Sequence, residues 1–223
     1  MAEDARDRLA RLHGEMRERI CLMDWAPGTR LSEEGIAAEY GVSRTPIRRV
    51  LARLEDEGLV QSLHGIGTMV TDPGEEELAQ TYALREELAE LVGRLSPVKV
   101  GAAQRAEMAG FRAQGEALAQ APEARSFARL NMAYFAFGLS LTGNAVLREV
   151  AERLYYRTAR VWLRQIAALD LAEECAVFLA ELRETERALS AGDAMAAALV
   201  RRAHISMSVR RLMAAGAAGR AVD

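Results

Sequence analysis

Gly41-Val42-Ser43-Arg44-Thr45-Pro46-Ile47-Arg48-Arg49-Val50-Leu51-Ala52-Arg53-Leu54-Glu55-Asp56-Glu57-Gly58-Leu59-Val60 is the stretch on which the fold turns. With Arg44 as zero and ~100° per residue, Ile47, Val50, Leu51 and Leu54 cluster at ~240° to ~340°. Arg44, Arg48, Thr45 and Arg49 fall at ~0° to ~140°. One face is therefore core, and the other carries three guanidinium groups and a hydroxyl. Ser43 or Thr45 can cap the helix, Pro46 is tolerated in its first turn, and Gly58 is a stop. A short helix with basic residues at its N-terminal end suits the major groove of DNA, where Arg pairs with guanine. The same residues also fit a solvated arginine face on an ordinary helix, so the rest of the chain has to decide.

The stretch just before it supplies a partner. Ser32 is placed to cap a short helix with Glu33 and Glu34 in its first turn, burying Ile36, Ala37 and Tyr40 and stopping near Gly41. Helix, three-residue turn, helix is the spacing of a helix-turn-helix. After Gly58, Leu59–Leu63 and Thr68–Thr71 read as two strands joined by His64-Gly65-Ile66-Gly67, whose glycines permit a tight hairpin. A hairpin beside a helix-turn-helix is a winged helix. Upstream, Leu9, Leu12, Met16, Ile20 and Met23 step at helical spacing, which predicts an amphipathic helix over ~4–24. Ala26-Pro27-Gly28 ends it in a turn.

Asp72-Pro73-Gly74-Glu75 marks a boundary, with Asp72 as N-cap and Pro73 at the first helical position. Beyond it, helices are expected at ~75–95, ~101–120, ~122–142, ~145–168, ~171–190 and ~193–214. Leu84/Leu88/Leu91/Leu95 and Leu139/Leu147/Val150/Leu154 are expected to face the core. Short connections between six helices predict an antiparallel bundle. The low-complexity tail Ala214–Gly219 is expected to fray. The fold class is thus mostly α: a winged helix-turn-helix at 1–72 and a helical domain at 75–215.

The net charge of −3 and the ten Arg against thirteen Asp and Glu in residues 1–72 exclude DNA binding by bulk charge, so a local patch must do it. Lys99 is the sole lysine, a compositional bias that makes the abundance of arginine weak evidence. Cys21 and Cys175 are far apart, without metal or disulfide spacing, as suits a reducing cytoplasm. The N-terminus has no apolar signal core, and no run of 18 apolar residues predicts a membrane span.

Pro27–Glu33, Gly41–Arg48, Leu54–Val60, Gly65–Thr68 and Leu84-Arg85, with Gly143-Asn144 and Ala191–Asp193 later, resemble the GntR family of bacterial transcription regulators. The likeness is to its FadR subfamily, with an all-helical FCD-type C-terminal domain. It is specific over 27–70 and looser after 75. It implies that Arg44, Thr45 and Arg48 contact operator bases or phosphates, that Ser43 touches phosphate, and that His64 and Gly65 enter the minor groove. Arg49 stands where the family usually has an acid and adds positive charge to the exposed face. Read from the residues alone, His64 could reach DNA from the wing tip, but a lone loop histidine is more often merely solvated.

Many members of this family hold a metal with an Asp, a His four residues on, and two later His. By the resemblance, Asn131, Phe135, Leu182 and His204 stand at those four positions. Zn²⁺ wants three or four N, O or S ligands, so no metal and no other cofactor is expected. Arg85 stands where the family places an effector-site arginine, and Arg pairs well with carboxylate or phosphate. A pocket of Arg85, Asn131, Phe135, Leu182 and His204 that takes a small anionic metabolite without metal is the expectation. A buried, satisfied His204 and a surface Arg85 in a salt bridge are the competing one.

The expected function is a cytoplasmic, homodimeric DNA-binding regulator and repressor, acting on a two-fold symmetric operator of double-stranded DNA and modulated by that anion. A DNA-binding dimer whose second domain is only structural is the alternative. Nothing in the chain orders a catalytic triad, and Gly65-Ile66-Gly67 precedes a strand, not a helix, so an enzyme is not expected.

Overall fold

The computed structural model describes residues 5–166 and 169–220, the last six of these by backbone alone. The first position of the helix expected at ~4–24 and the last two of the one expected at ~145–168 lie outside the described residues. The chain divides into two compact units, Met1–Gly74 and Glu75–Asp223.

In the first unit, α1 spans Ala5–Cys21, α2 Glu33–Tyr40 and α3 Arg44–Asp56. Ile47, Val50, Leu51 and Leu54 of α3 are buried, joined by Leu12, Met16 and Ile20 of α1 and Ile36 of α2. Each such side chain, fully buried, stabilises by roughly 1.5–3 kcal/mol. α1 ends three residues earlier than its spacing predicts, with Met23 at φ 65°. Ser32 caps α2, its Oγ accepting from the Gly35 amide at 3.2 Å. Ser43 flanks α3 but makes no side-chain cap bond. Three short strands follow one order. β1 (Arg30–Leu31), β2 (Val60–Leu63) and β3 (Gly67–Val70) lie β1-β3-β2, all antiparallel, with Val60 opposite Val70 and Arg30 opposite Met69. β1 is not expected from the sequence, because two residues are too few to show a period of two. Gly67, read as loop, begins β3.

The second unit holds α4 (Glu75–Arg94), α5 (Ala102–Gln120), α6 (Ala124–Ser140), α7 (Ala145–Gln165), α8 (Leu171–Ser190) and α9 (Ala194–Arg220). Polar residues at the expected breaks act as caps. Asn144 Oδ1 accepts from the Leu147 amide, Asp170 Oδ1 from Ala172 and Glu173, and Asp193 Oδ1 from Ala196. Caps of this kind stabilise by ~1 kcal/mol each. α4 begins at Glu75, so Asp72-Pro73 precede its first turn instead of forming it. α9 runs to Arg220, past the ~214 at which the sequence suggests an end.

α4 packs on α9, α5 on α8, and α6 against α7, around a core that includes Phe111, Phe127, Tyr134, Phe137, Trp162 and Phe178. Two of these contacts run close past a glycine, and the one at Gly93, against backbone, requires it. A Cβ on Gly93 would meet the Met195 backbone at 2.8 Å, and one on Gly115 would meet Leu182 Cδ1 at 2.5 Å. The face of α4 differs from expectation. Leu78, Tyr82, Arg85, Leu88 and Val92 are buried, whereas Leu84 and Leu95 are exposed. On α7, Leu147 is buried and Val150 exposed.

Candidate functional sites

Two groups of residues stand out, one in each unit. The first is the outward face of α3 and the tip of the hairpin. Ser43, Arg44, Thr45, Arg48 and Arg49 are all exposed, as are His64 and Gly65. The helix that carries them is fixed from behind by its four buried residues, so the arginine face is presented on a rigid element. Its exit is also fixed. The Leu59 amide returns to Leu54 O at 2.9 Å across Gly58 at φ 77°, which turns the chain into β2. Glu55 then accepts from the Ser62 amide at 2.6 Å and from the Ser62 hydroxyl at 2.9 Å, joining the hairpin to α3. A partly buried pair joins α1 to the end of α3: His13 Nε2 lies 2.8 Å from Glu57 Oε1. Burial pushes the Glu57 carboxyl up, but His13, with Arg17 and Arg53, outweighs it and holds it below its ordinary value.

Sequence reasoning missed one member of this face. Glu33, at the start of α2, accepts from Arg48 Nε at 3.1 Å through Oε1 and from Arg48 Nη2 at 3.0 Å through Oε2. Arg44 Nη2 donates to the same Oε2 at 3.1 Å. Hydrogen bonds from Arg48 and then Arg44 hold the Glu33 carboxyl below the usual carboxylate range.

The second group lies inside the helical unit. Arg85 projects from the buried stripe of α4 and is only 9% exposed. Its Nη1 donates to Thr158 Oγ1 of α7 at 2.7 Å, and its guanidinium stands 5.0 Å from the ring centres of Tyr82 and Tyr155. These partners are all neutral. Burial lowers the pKa of Arg85, and the nearby Arg201 charge adds to the fall. Arg201 of α9 is treated differently. It donates to Glu181 Oε1 at 2.7 Å and to Asn131 Oδ1 at 3.3 Å. Burial pulls its pKa down, but the Glu181 charge and hydrogen bond, with Tyr134 and Tyr155, together outweigh it and the net shift is upward.

Two cavities share Arg85, Arg201 and Ile205. One, about 60 Å³, is walled mostly by apolar side chains such as Leu88, Val92, Phe137 and Leu141. The other, about 70 Å³, is more polar and is lined by Asn131, Tyr155, Thr158, Glu181 and His204 among others. Of the residues expected to share one pocket, Asn131 and His204 line the polar cavity, Phe135 the apolar one, and Arg85 both. Phe135 also stacks on Tyr155, with ring centres 3.7 Å apart. Leu182 lines neither. It is fully buried against Gly115 of α5, and its neighbour Glu181 faces the cavity in its place. One residue is ~100° around a helix, which is enough to turn a side chain from cavity to core.

His204 is buried and satisfied, its Nε2 3.1 Å from Glu184 Oε2. Arg85 makes no surface salt bridge. A metal does not fit here: Phe135 has no donor atom, Asn131 is engaged with Arg201, and Leu182 is elsewhere. Among the described residues no group of three or more His, Cys, Asp or Glu is arranged to hold an ion. Sequence reasoning also missed Arg201, Glu181 and Thr158. Arg201 was within reach, because it lies three residues before His204 and so shares its helix face.

Residues 9–70 match the model of bacterial regulatory proteins of the gntR family, and residues 80–207 match that of the FCD domain. The chain is 30% identical over 210 residues to the HTH-type transcriptional regulator Rv0494 of Mycobacterium tuberculosis, covering 84% of this chain and 82% of that protein. A shorter match, 42% over 72 residues, is to the histidine utilization repressor of Klebsiella aerogenes and spans 31% of this chain and 29% of that repressor. Among solved structures, E. coli McbR/YncC superposes with a TM-score of 0.81 at 18% identity, over 92% of this chain and 96% of that one.

Proposed function

The chain belongs to the gntR family of bacterial regulatory proteins and carries an FCD domain, and from that membership we propose that it is a homodimeric repressor released from a two-fold symmetric operator by a small anion bound at Arg85. A DNA-binding transcription regulator is what the family is; the operator, the dimer and the anion are our reading. On it, Arg44, Thr45, Arg48 and Arg49 meet the major groove and its phosphates, Ser43 a phosphate, and His64 with Gly65 the minor groove. Repression fits the name of the Klebsiella relative. The site of action is the bacterial cytoplasm. No helix among the described residues is long and apolar enough to cross a membrane.

One observation carries the ligand. Arg85 is a buried cation whose partners are all neutral, beside space in the bundle. A buried charge is costly unless paired, and an incoming carboxylate or phosphate would complete it with charge-assisted hydrogen bonds. A cavity of about 70 Å³ holds a few waters or a small headgroup, so the anion is small or the site opens with it. Ligand binding shifts DNA affinity only by its differential affinity for the two forms of the dimer. Leu84 on α4, Leu95 just beyond its end, and Val146 and Val150 on α7 are apolar and exposed, and a second copy of the helical unit is the partner we assign to them.

A thermal-shift series with formate, acetate, larger carboxylates and phosphate tests the ligand. An anion at a hundred times its Kd adds about 2.7 kcal/mol of stability, and Arg85→Met abolishes that gain. If no anion shifts the wild type, the second unit only dimerises. Sedimentation at micromolar concentration tests the dimer, and a stable monomer refutes it.

A further inference from the structure

Arg48 is held by one edge. Its Nε and Nη2 both donate to Glu33, which occupies the side edge of the guanidinium. A guanidinium has five N–H donors in a planar fork. The Nη1 hydrogens and the outer hydrogen of Nη2, which form the end edge, remain for another partner. Arg44 Nη2 takes the same Glu33 oxygen as Arg48 Nη2. Glu33 is the first residue of α2, and Ser32 caps that helix by binding Gly35. The carboxylate is therefore anchored on one helix and grips two arginines on the next. Both arginine side chains are more than half exposed, whereas Glu33 is 26% exposed.

We propose that Glu33 is a specificity-determining positioning residue of the DNA interface: it braces Arg48 by the side edge so that the end edge meets O6 and N7 of a guanine, and its charge weakens the attraction of the same face for phosphate. The inference rests on the reading of α3 as the element that enters DNA. An unbraced arginine on a flexible stem must be ordered before it can read a base, and it binds any of the phosphates that every sequence carries. A carboxylate about 3 Å from two guanidiniums cancels much of their pull on phosphate. A guanine edge is neutral and offers two acceptors to the donors that remain. The brace thus lowers affinity for arbitrary DNA more than affinity for the right site, which is how discrimination is gained. The held carboxylate stays ionised at neutral pH, since its arginine partners keep it below the usual carboxylate range.

The test uses the full chain and a duplex selected by it from a randomised pool. Binding is measured at two salt concentrations to the selected duplex, to single-base variants of it, and to a scrambled duplex. Arg48→Ala locates the base that Arg48 reads, where preference falls roughly 5- to 150-fold. Glu33→Gln is expected to lose preference at that same base by about 5-fold or more. It also binds the scrambled duplex about 3-fold tighter, with a salt dependence steeper by about one ion. Glu33→Asp, which keeps the charge on a shorter arm, is expected to lose the base preference while still binding scrambled DNA weakly. A Glu33→Gln protein that keeps wild-type preference within about twofold overturns the brace. If Arg44→Ala and Arg48→Ala leave all duplexes unaffected, α3 is not the interface and the brace falls with it. Circular dichroism and thermal melting of each variant establish that the fold is retained.

Discussion

Arg48 and Arg85 are the same side chain in opposite settings. Arg48 stands on the outside of a rigid helix, two-thirds exposed, with a carboxylate already gripping it. Arg85 is buried in the helical unit, and its contacts are a hydroxyl and two tyrosine rings. In water a cation is well solvated, so an added acid does little for stability and serves to aim the group. In the interior solvation is lost, so leaving the acid out stores an unmet demand for negative charge. A paired arginine at the surface suits selection among many anionic surfaces. An unpaired one inside suits capture of a single anion. Arg201, a neighbour of Arg85 that does have its glutamate, shows that the interior can supply a counter-charge where none is to be recruited.

The contrast breaks most visibly at Glu181. Glu181→Gln leaves Arg201 in the condition of Arg85. Removing one partner of a buried pair costs ~3–5 kcal/mol, so denaturant unfolding of the helical unit moves to lower concentration. Anion affinity, read by the same thermal-shift series, is expected to rise, because two uncompensated guanidiniums now face the cavities. Unchanged stability would mean that Arg201 does not need Glu181.

Arg85→Met goes the other way. An apolar side chain of similar length removes from the interior a charge that no carboxylate pairs, and an unpaired buried charge is costly to the fold. The variant is expected to melt at or above the wild-type temperature while losing its response to anions. A clear loss of stability would place Arg85 among the supports of the fold instead of its functional groups.

The smallest effect sharpens the surface side of the comparison. Ser32→Ala removes the α2 cap at a cost of ~1 kcal/mol and lets the start of that helix, with Glu33, fray. Urea titration followed at Trp25, which is buried in the first unit, measures the cost. Preference for the base read by Arg48 should fall by less than it does in Glu33→Gln.

The arginine face was legible in the sequence, and the brace was not. A helical period of 3.6 sorts Arg44, Thr45, Arg48 and Arg49 from Ile47, Val50, Leu51 and Leu54 without knowledge of anything else. Contact between Glu33 and Arg48 depends on the angle between two helices, which no single-helix pattern encodes. The same limit explains α4. Leu84, Leu88, Leu91 and Leu95 make a persuasive apolar stripe, yet the buried stripe runs through Tyr82 and Arg85. Hydrophobicity reads an arginine as surface, so the most informative residue of the helical unit pulled the assignment toward the wrong face. Leu182 failed by a single residue of register, because its place followed from the family resemblance and not from the face of α8 itself. β1 escaped because its pairing with β3 is a long-range event two residues long.

The two cysteines acquire a use from where they sit. Cys21 lies in the first unit and Cys175 in the second, each only 1% exposed, and the Cys175 thiol is pushed up to about 11 by burial and by the neighbouring Glu174 carboxylate. Alkylating reagents attack the thiolate, so a thiol so placed reacts when its surroundings open. The chain therefore carries one built-in reporter per unit. Pulse labelling with iodoacetamide, resolved peptide by peptide by mass, times the opening of each unit separately in one sample, and an anion held at Arg85 would slow the labelling of Cys175.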